Sequence, residues 1–113
     1  MEFEDIIKRT KGIWKLYAQS DKKRLGKEWH RGEYAKALAA DVGALVKLTM
    51  AKDGLREVKD VDEKMKHELA DCLWCLIIIA EKYGVNLEKA FLETMEELEK
   101  RASKKTLVKS HSL

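Results

Sequence analysis

The sequence predicts an all-α protein, and three of its features carry this prediction. Its 113 residues include no proline, and 45% are hydrophobic while 38% are charged. This balance is typical of amphipathic helices rather than of short strands joined by tight turns. Apolar residues recur every three to four positions over several long segments, which is the period of one helix face. At this length we expect a single domain with one moderate core.

The first two helices are predicted in the N-terminal half of the chain. The first covers residues 3–19, where the apolar face is formed by Phe3, Ile6, Ile7, Ile13, Trp14 and Tyr17. Residues 20–32 contain many charges, two glycines and no sustained period, so we expect a linker or loop there, with room for one turn of helix. The second helix covers about 33–52, and Gly54 supplies its stop.

The third and fourth helices follow a polar connection. The third covers about 62–83, with Asp62 as N-cap and Gly84 as C-terminal cap. Asn86 caps the fourth, whose near-heptad apolar pattern fades before 104–113, a segment expected to be a frayed tail. We therefore expect a four-helix bundle. Because the third helix is apolar nearly all round, we also expect it to form an oligomer interface.

Charge and cysteine content limit the classes of function. The 23 basic and 20 acidic residues are interleaved, so the net charge of +3 describes a solvated surface and predicts no nucleic-acid partner. Cys72 and Cys75 form a C-x-x-C without a second pair, which favours core thiols in a reducing cytoplasm. The apolar run is too short for a bilayer and no signal peptide is recognised, so we expect a cytoplasmic protein without a membrane partner.

Three carboxylates occupy positions where the apolar pattern calls for hydrophobic residues. Glu68 and Asp71 lie one turn apart in the third helix, and Asp41 lies in the apolar row of the second. Charged groups are rarely buried unless they are paired or bind a metal. Two interpretations stay open. The acids form ion pairs, such as Glu68 with Lys64, or all three hold a hard cation such as Mg²⁺.

Three phrases follow one another in the second half of the chain: ELADCLW, YGVNLEKAF and LEKR. Their order and spacing resemble the MazG-like all-α nucleoside triphosphate pyrophosphohydrolases, and the similarity covers about residues 29–101. In that family an E-x-x-E motif precedes an E-x-x-D motif. Glu68 and Asp71 match the second motif. In the first motif Asp41 replaces the first glutamate, and Ala44 stands where the second belongs.

The resemblance implies a Mg²⁺-dependent enzyme, with Mn²⁺ as an alternative metal, that cleaves a nucleoside triphosphate to the monophosphate and pyrophosphate. Asp41, Glu68 and Asp71 then bind the metal, and either one of the two acids of the third helix activates water or a metal-bound hydroxide serves as the nucleophile. A homodimer or homotetramer is also implied. The altered first motif leaves a second hypothesis open, a non-catalytic helical module that binds nucleotide or a protein partner. A helical interaction protein without any ligand is the third.

Substrate-binding residues are less legible in the sequence. Trp29, His30 and Tyr34 precede the first acidic motif and are candidates to stack on a base, the first two most of all. Trp74, one turn beyond the second motif, is expected to be a core or interface residue. Lys47 is either a solvated surface lysine or a cation that enters the site. The pattern does not identify the base.

Overall fold

A computed structural model describes residues 1–26 and 31–111 and contains four helices. They are α1 (Phe3–Leu25), α2 (Arg31–Lys52), α3 (Val61–Lys82) and α4 (Leu87–His111). The described residues include no strand, so the predicted all-α class is confirmed. The most extensive packing joins α2 to α3, and α1 packs against α3 from another side.

Helix α1 is longer than the sequence predicts. It continues to Leu25, so the expected linker is wrong for residues 20–25, and residues 31–32 belong to α2. Arg24 Nη2 pairs with Asp21 Oδ1 at 3.1 Å within the last turns. Gly26 then ends the helix at φ 77°, where its N–H donates to the Lys22 carbonyl at 3.0 Å. Local ion pairing and a glycine cap therefore determine this end, without any apolar period.

The boundaries of α3 differ slightly from the prediction. The N-cap is Asp60, with φ 56°, and not Asp62, which lies in the first turn and pairs with Lys52 Nζ at 2.8 Å. At the other end the helix stops at Lys82. Gly84 follows at φ 69°, in the left-handed region that favours glycine, as the sequence predicts.

Helix α4 begins at the predicted cap and ends later than expected. The Asn86 side-chain oxygen accepts a hydrogen bond from the Lys89 N–H at 3.1 Å. The helix then continues to His111, so residues 104–111 are helical and not the expected frayed tail. Pairs spaced four residues apart, such as Lys100 Nζ with Glu96 Oε1 at 3.7 Å, support this largely solvated helix.

The core lies around the second half of α3. Ile77 and Ile78 are each only 2% exposed, and the other buried apolar residues are Ala18, Tyr34, Leu48, Cys75 and Ala80. The molecule is elongated, with extents of 66 × 39 × 28 Å, because α4 makes little contact with the other helices. The far side of α3 remains open, since Leu69, Leu73 and Leu76 are exposed.

Contacts along one side of α3 fix the position of α1. Lys11 Nζ pairs with Glu81 Oε2 at 3.1 Å, and Lys82 Nζ lies 4.5 Å from the centre of the Trp14 ring. About two turns towards the start of α3, the rings of Tyr17 and Trp74 meet edge to face with centroids 6.1 Å apart. These contacts direct the C-terminal half of α1 towards the turn that carries Asp71.

Candidate functional site

The three inward carboxylates meet between α2 and α3. Asp41, Glu68 and Asp71 each offer one oxygen, and these oxygens lie within 4.8 Å of one another. All three residues are half-buried. The helix period explains the arrangement, because Glu68 and Asp71 are one turn apart and Asp41 lies on the face of α2 that packs against α3. The structure thus brings together the three acids that the sequence singled out.

The partners of these acids leave part of their charge uncompensated. Glu68 Oε2 is buried and has no hydrogen-bond partner among the described residues. Asp71 Oδ2 lies 3.2 Å from His67 Nε2, which forms an ion pair when the imidazole is protonated. Asp41 Oδ2 accepts a hydrogen bond from the Cys75 thiol at 3.7 Å. The described structure does not contain the alternative pair between Glu68 and Lys64. A shared cation remains the interpretation that compensates all three charges.

The two cysteines lie directly beside the carboxylates. Burial raises the pKa of the Cys75 thiol to about 11, and the negative charge of Asp41 adds to the rise. Burial also raises the pKa of Cys72, followed by the charges of the three acids. Both thiols are free, Cys75 is buried and Cys72 half-buried. They are therefore protonated at neutral pH and pack as core thiols, as the sequence predicts.

The residues around the altered first motif lie at different depths. Ala44 is half-buried on α2, one turn beyond Asp41. Lys47 is exposed, and no described residue forms an ion pair with it. This exposure agrees with the interpretation of Lys47 as a solvated surface lysine rather than as a cation that enters the site. Trp29 and His30 lie outside the described residues.

A cleft of about 640 Å³ opens beside Asp71, between α1 and α3. Trp74 and Tyr34 line it, so Trp74 is half-buried at a cleft wall as well as in contact with α1. Sequence reasoning missed the opposite wall, which α1 supplies through Ile13, Tyr17, Asp21 and Arg24. A signal was available: these four residues are spaced by four, four and three positions, so they share one face of a helix that continues past residue 19.

The chain can now be placed in a class. It is an all-α protein in which two packed helices gather three carboxylate oxygens, the donor set that a hard divalent cation prefers. The MazG nucleotide pyrophosphohydrolase domain matches residues 32–106, well over half of the sequence. The chain belongs to this MazG family. No curated protein and no solved structure shows a significant match. Among the described residues, no helix is long and apolar enough to cross a membrane.

Proposed function

We propose that the protein is a Mg²⁺-dependent nucleotide pyrophosphohydrolase that cleaves a nucleoside triphosphate to the monophosphate and pyrophosphate. Membership of the MazG family supports the reaction class. The observation that carries the proposal is Glu68 Oε2, buried without a partner beside the oxygens of Asp41 and Asp71. An ionised oxygen in such a place is costly unless a cation compensates it, because water cannot solvate it.

The donor set fits Mg²⁺, with Mn²⁺ as an alternative. Carboxylate oxygens are hard ligands, and Mg²⁺ is held by a few of them while substrate phosphates take other positions. Two oxygens on one Mg²⁺ lie at most about 4 Å apart, twice the metal–oxygen distance. The oxygens of Asp41, Glu68 and Asp71 lie within 4.8 Å of one another, so rotation of these side chains can bring them onto one ion.

The roles of the residues follow from their surroundings. Bound Mg²⁺ supplies charge neutralisation on phosphate oxygens and makes water more acidic. Asp41 is held towards α3 by the Cys75 thiol and serves as a ligand from α2. Asp71 is held by His67 at 3.2 Å, whereas Glu68 has an oxygen without a partner. Either acid of α3 can orient the attacking water and accept its proton.

A panel of nucleoside triphosphates, assayed for pyrophosphate with Mg²⁺ or Mn²⁺, tests this function directly. Asp71→Asn should abolish product formation with little change in melting temperature, because the amide keeps the shape and loses the charge. The matched control is Asp62→Asn on the same helix, which removes a surface pair with Lys52 and should retain activity. Full activity in the Asp71→Asn variant contradicts the assignment.

A second candidate function rests on Ala44. The family's fourth carboxylate is missing at this half-buried position, which favours a non-catalytic module that binds nucleotide without turnover. Isothermal titration calorimetry combined with the pyrophosphate assay separates the two functions. Binding without product supports the module, and rapid product release excludes it.

We also propose that the chain assembles as a homodimer or homotetramer. The support is the exposed apolar row of Leu69, Leu73 and Leu76 on α3, together with the exposed Val42 and Val46 on α2. A second copy that covers these side chains would remove them from water. The proposed location is the cytoplasm, where the two free thiols persist in reduced form.

A further inference from the structure

The cleft beside Asp71 combines one wall from the family domain with one wall from outside it. Trp74 and Asp71 lie within the matched residues 32–106, whereas Tyr17, Asp21 and Arg24 belong to α1, which precedes them. We infer that the base of the nucleotide binds in this cleft, and that α1 supplies the residues that recognise it. This inference rests on the proposed function.

The cleft adjoins the carboxylate cluster in the way that the base of a nucleotide adjoins its phosphates. Asp71 belongs both to the carboxylate cluster and to the cleft wall, so the cleft begins where the phosphates would be held. Trp74 comes one turn later on the same side of α3, which carries the wall away from the cluster. A nucleotide with its phosphates at the cluster extends its base in this direction. The volume of about 640 Å³ is suited to a ligand of this size.

Two aromatic rings provide the contact surface. Tyr17 and Trp74 meet at an interplanar angle of 73°, which forms a corner rather than a closed stack. Tyr17 remains 59% exposed, although its ring touches α3. A flat heterocycle can lie on one ring and meet the edge of the other, and every base has a face suited to such stacking. The corner therefore binds the base class without choosing among bases.

A charged pair adjoins the aromatic corner. The side chain of Asp21 is only 11% exposed and accepts a hydrogen bond from Arg24, whose guanidinium is largely open to solvent. A carboxylate accepts hydrogen bonds from the N–H groups of a base, and a guanidinium donates to its carbonyl and ring nitrogen atoms. Both kinds of partner thus line the cleft within one turn of α1. This pair is the element suited to choose among bases.

Binding measurements on the full chain test the inference without relying on turnover. The probes are α,β-methylene analogues of the four common ribonucleoside triphosphates, which resist cleavage, and inorganic tripolyphosphate, each with Mg²⁺. Tyr17→Ala should weaken binding of the preferred analogue roughly tenfold, the loss of one stacking contact. Its affinity for tripolyphosphate should stay within about twofold of the parent, because no phosphate contact changes. Tyr17→Leu, which keeps a large apolar side chain, should show the same pattern if the aromatic face is what binds.

Leu16→Ala is the matched control, since Leu16 is the neighbouring residue on α1, is also exposed and does not line the cleft. It should bind every probe as the parent does. Equal binding of the analogues by the parent and both Tyr17 variants overturns the inference while leaving the proposed function intact. If the parent binds tripolyphosphate and the analogues equally well, the inference is likewise overturned and the proposed function stays intact. A parent that binds neither kind of probe overturns both the inference and the proposed function.

Discussion

The Cys75 thiol donates a hydrogen bond to Asp41 Oδ2 across 3.7 Å and so connects the buried side of α3 to an acid of α2. The thiol can do this only while it is protonated. Deprotonation would place a second negative charge beside Asp41 in a site that is already acidic. The contact therefore links the packing of the two helices to the charge of the carboxylate cluster.

We expect this thiol to make stability fall in alkaline solution. Folding raises the pKa of Cys75 from about 9 to about 11, so the folded state holds the proton more tightly. The corresponding stability is fully present below pH 9 and disappears as the pH rises through 11, a loss of about 2 kcal/mol. Urea denaturation between pH 8 and 11 should show a shallower decline for Cys75→Ala than for the parent. Equal slopes would mean that the thiol titrates as it does in the unfolded chain.

Neutralising one acid of the cluster should have opposite effects with and without metal. When a chelator keeps the protein free of metal, Glu68→Gln should raise the melting temperature. The substitution relieves the repulsion among three carboxylates, which stabilises the fold by about 1 kcal/mol. With Mg²⁺ the parent should gain stability and the variant should gain little. Glu63→Gln, which removes a surface pair with Lys66 on the same helix, should leave the Mg²⁺ response unchanged. A full Mg²⁺ response in Glu68→Gln would show that this acid is not a ligand.

Restoring an acid at position 44 tests whether three carboxylates suffice. Ala44→Glu projects from the same face of α2 as Asp41, so it should increase Mg²⁺ affinity and raise turnover. If the site is adapted to three ligands, the new charge lies half-buried without compensation and should destabilise the fold by about 1 to 3 kcal/mol. We expect the gain. The measurement is Mg²⁺-dependent melting and pyrophosphate release for parent and variant side by side. Lower melting at saturating Mg²⁺, with no added product, would favour the non-catalytic module.

These outcomes depend on features that the sequence revealed to different degrees. The three acids could be predicted because a charged residue at an apolar position of a helix pattern can be recognised from the sequence alone. Both Asp41 and Glu68 occupy such positions. The spacing along α1 indicates the helix face that forms the opposite wall of the cleft, but it does not indicate where that face packs, because the contact between Tyr17 and Trp74 joins residues far apart in the chain. The ends of α1 and α4 lie beyond the ends that the apolar pattern predicts, for another reason. Caps and ion pairs stabilise the last turns of these helices, and such turns cannot be predicted from the period of apolar residues.

The outer side of α3 predicts the response of assembly to a single charge. Leu73→Glu places a carboxylate in the middle of the exposed apolar row, so it should shift the protein from dimer or tetramer towards monomer. Leu55→Glu is the control, because Leu55 is even more exposed but lies in the connection between α2 and α3. Light scattering at micromolar concentration distinguishes the species. A monomeric parent would remove the basis for the proposed interface.

The sparse contacts of α4 have a consequence for hydrogen exchange. A helix of 25 residues that touches little else is held mainly by its own backbone and by pairs such as Lys89 with Glu93. In the monomer the amide protons of α4 should exchange by local fraying, far faster than those of Ile77 and Ile78. A partner that packs against α4 would slow the exchange of these protons. The exchange rate along this helix is therefore a direct gauge of how much of the protein's stability resides outside a single chain.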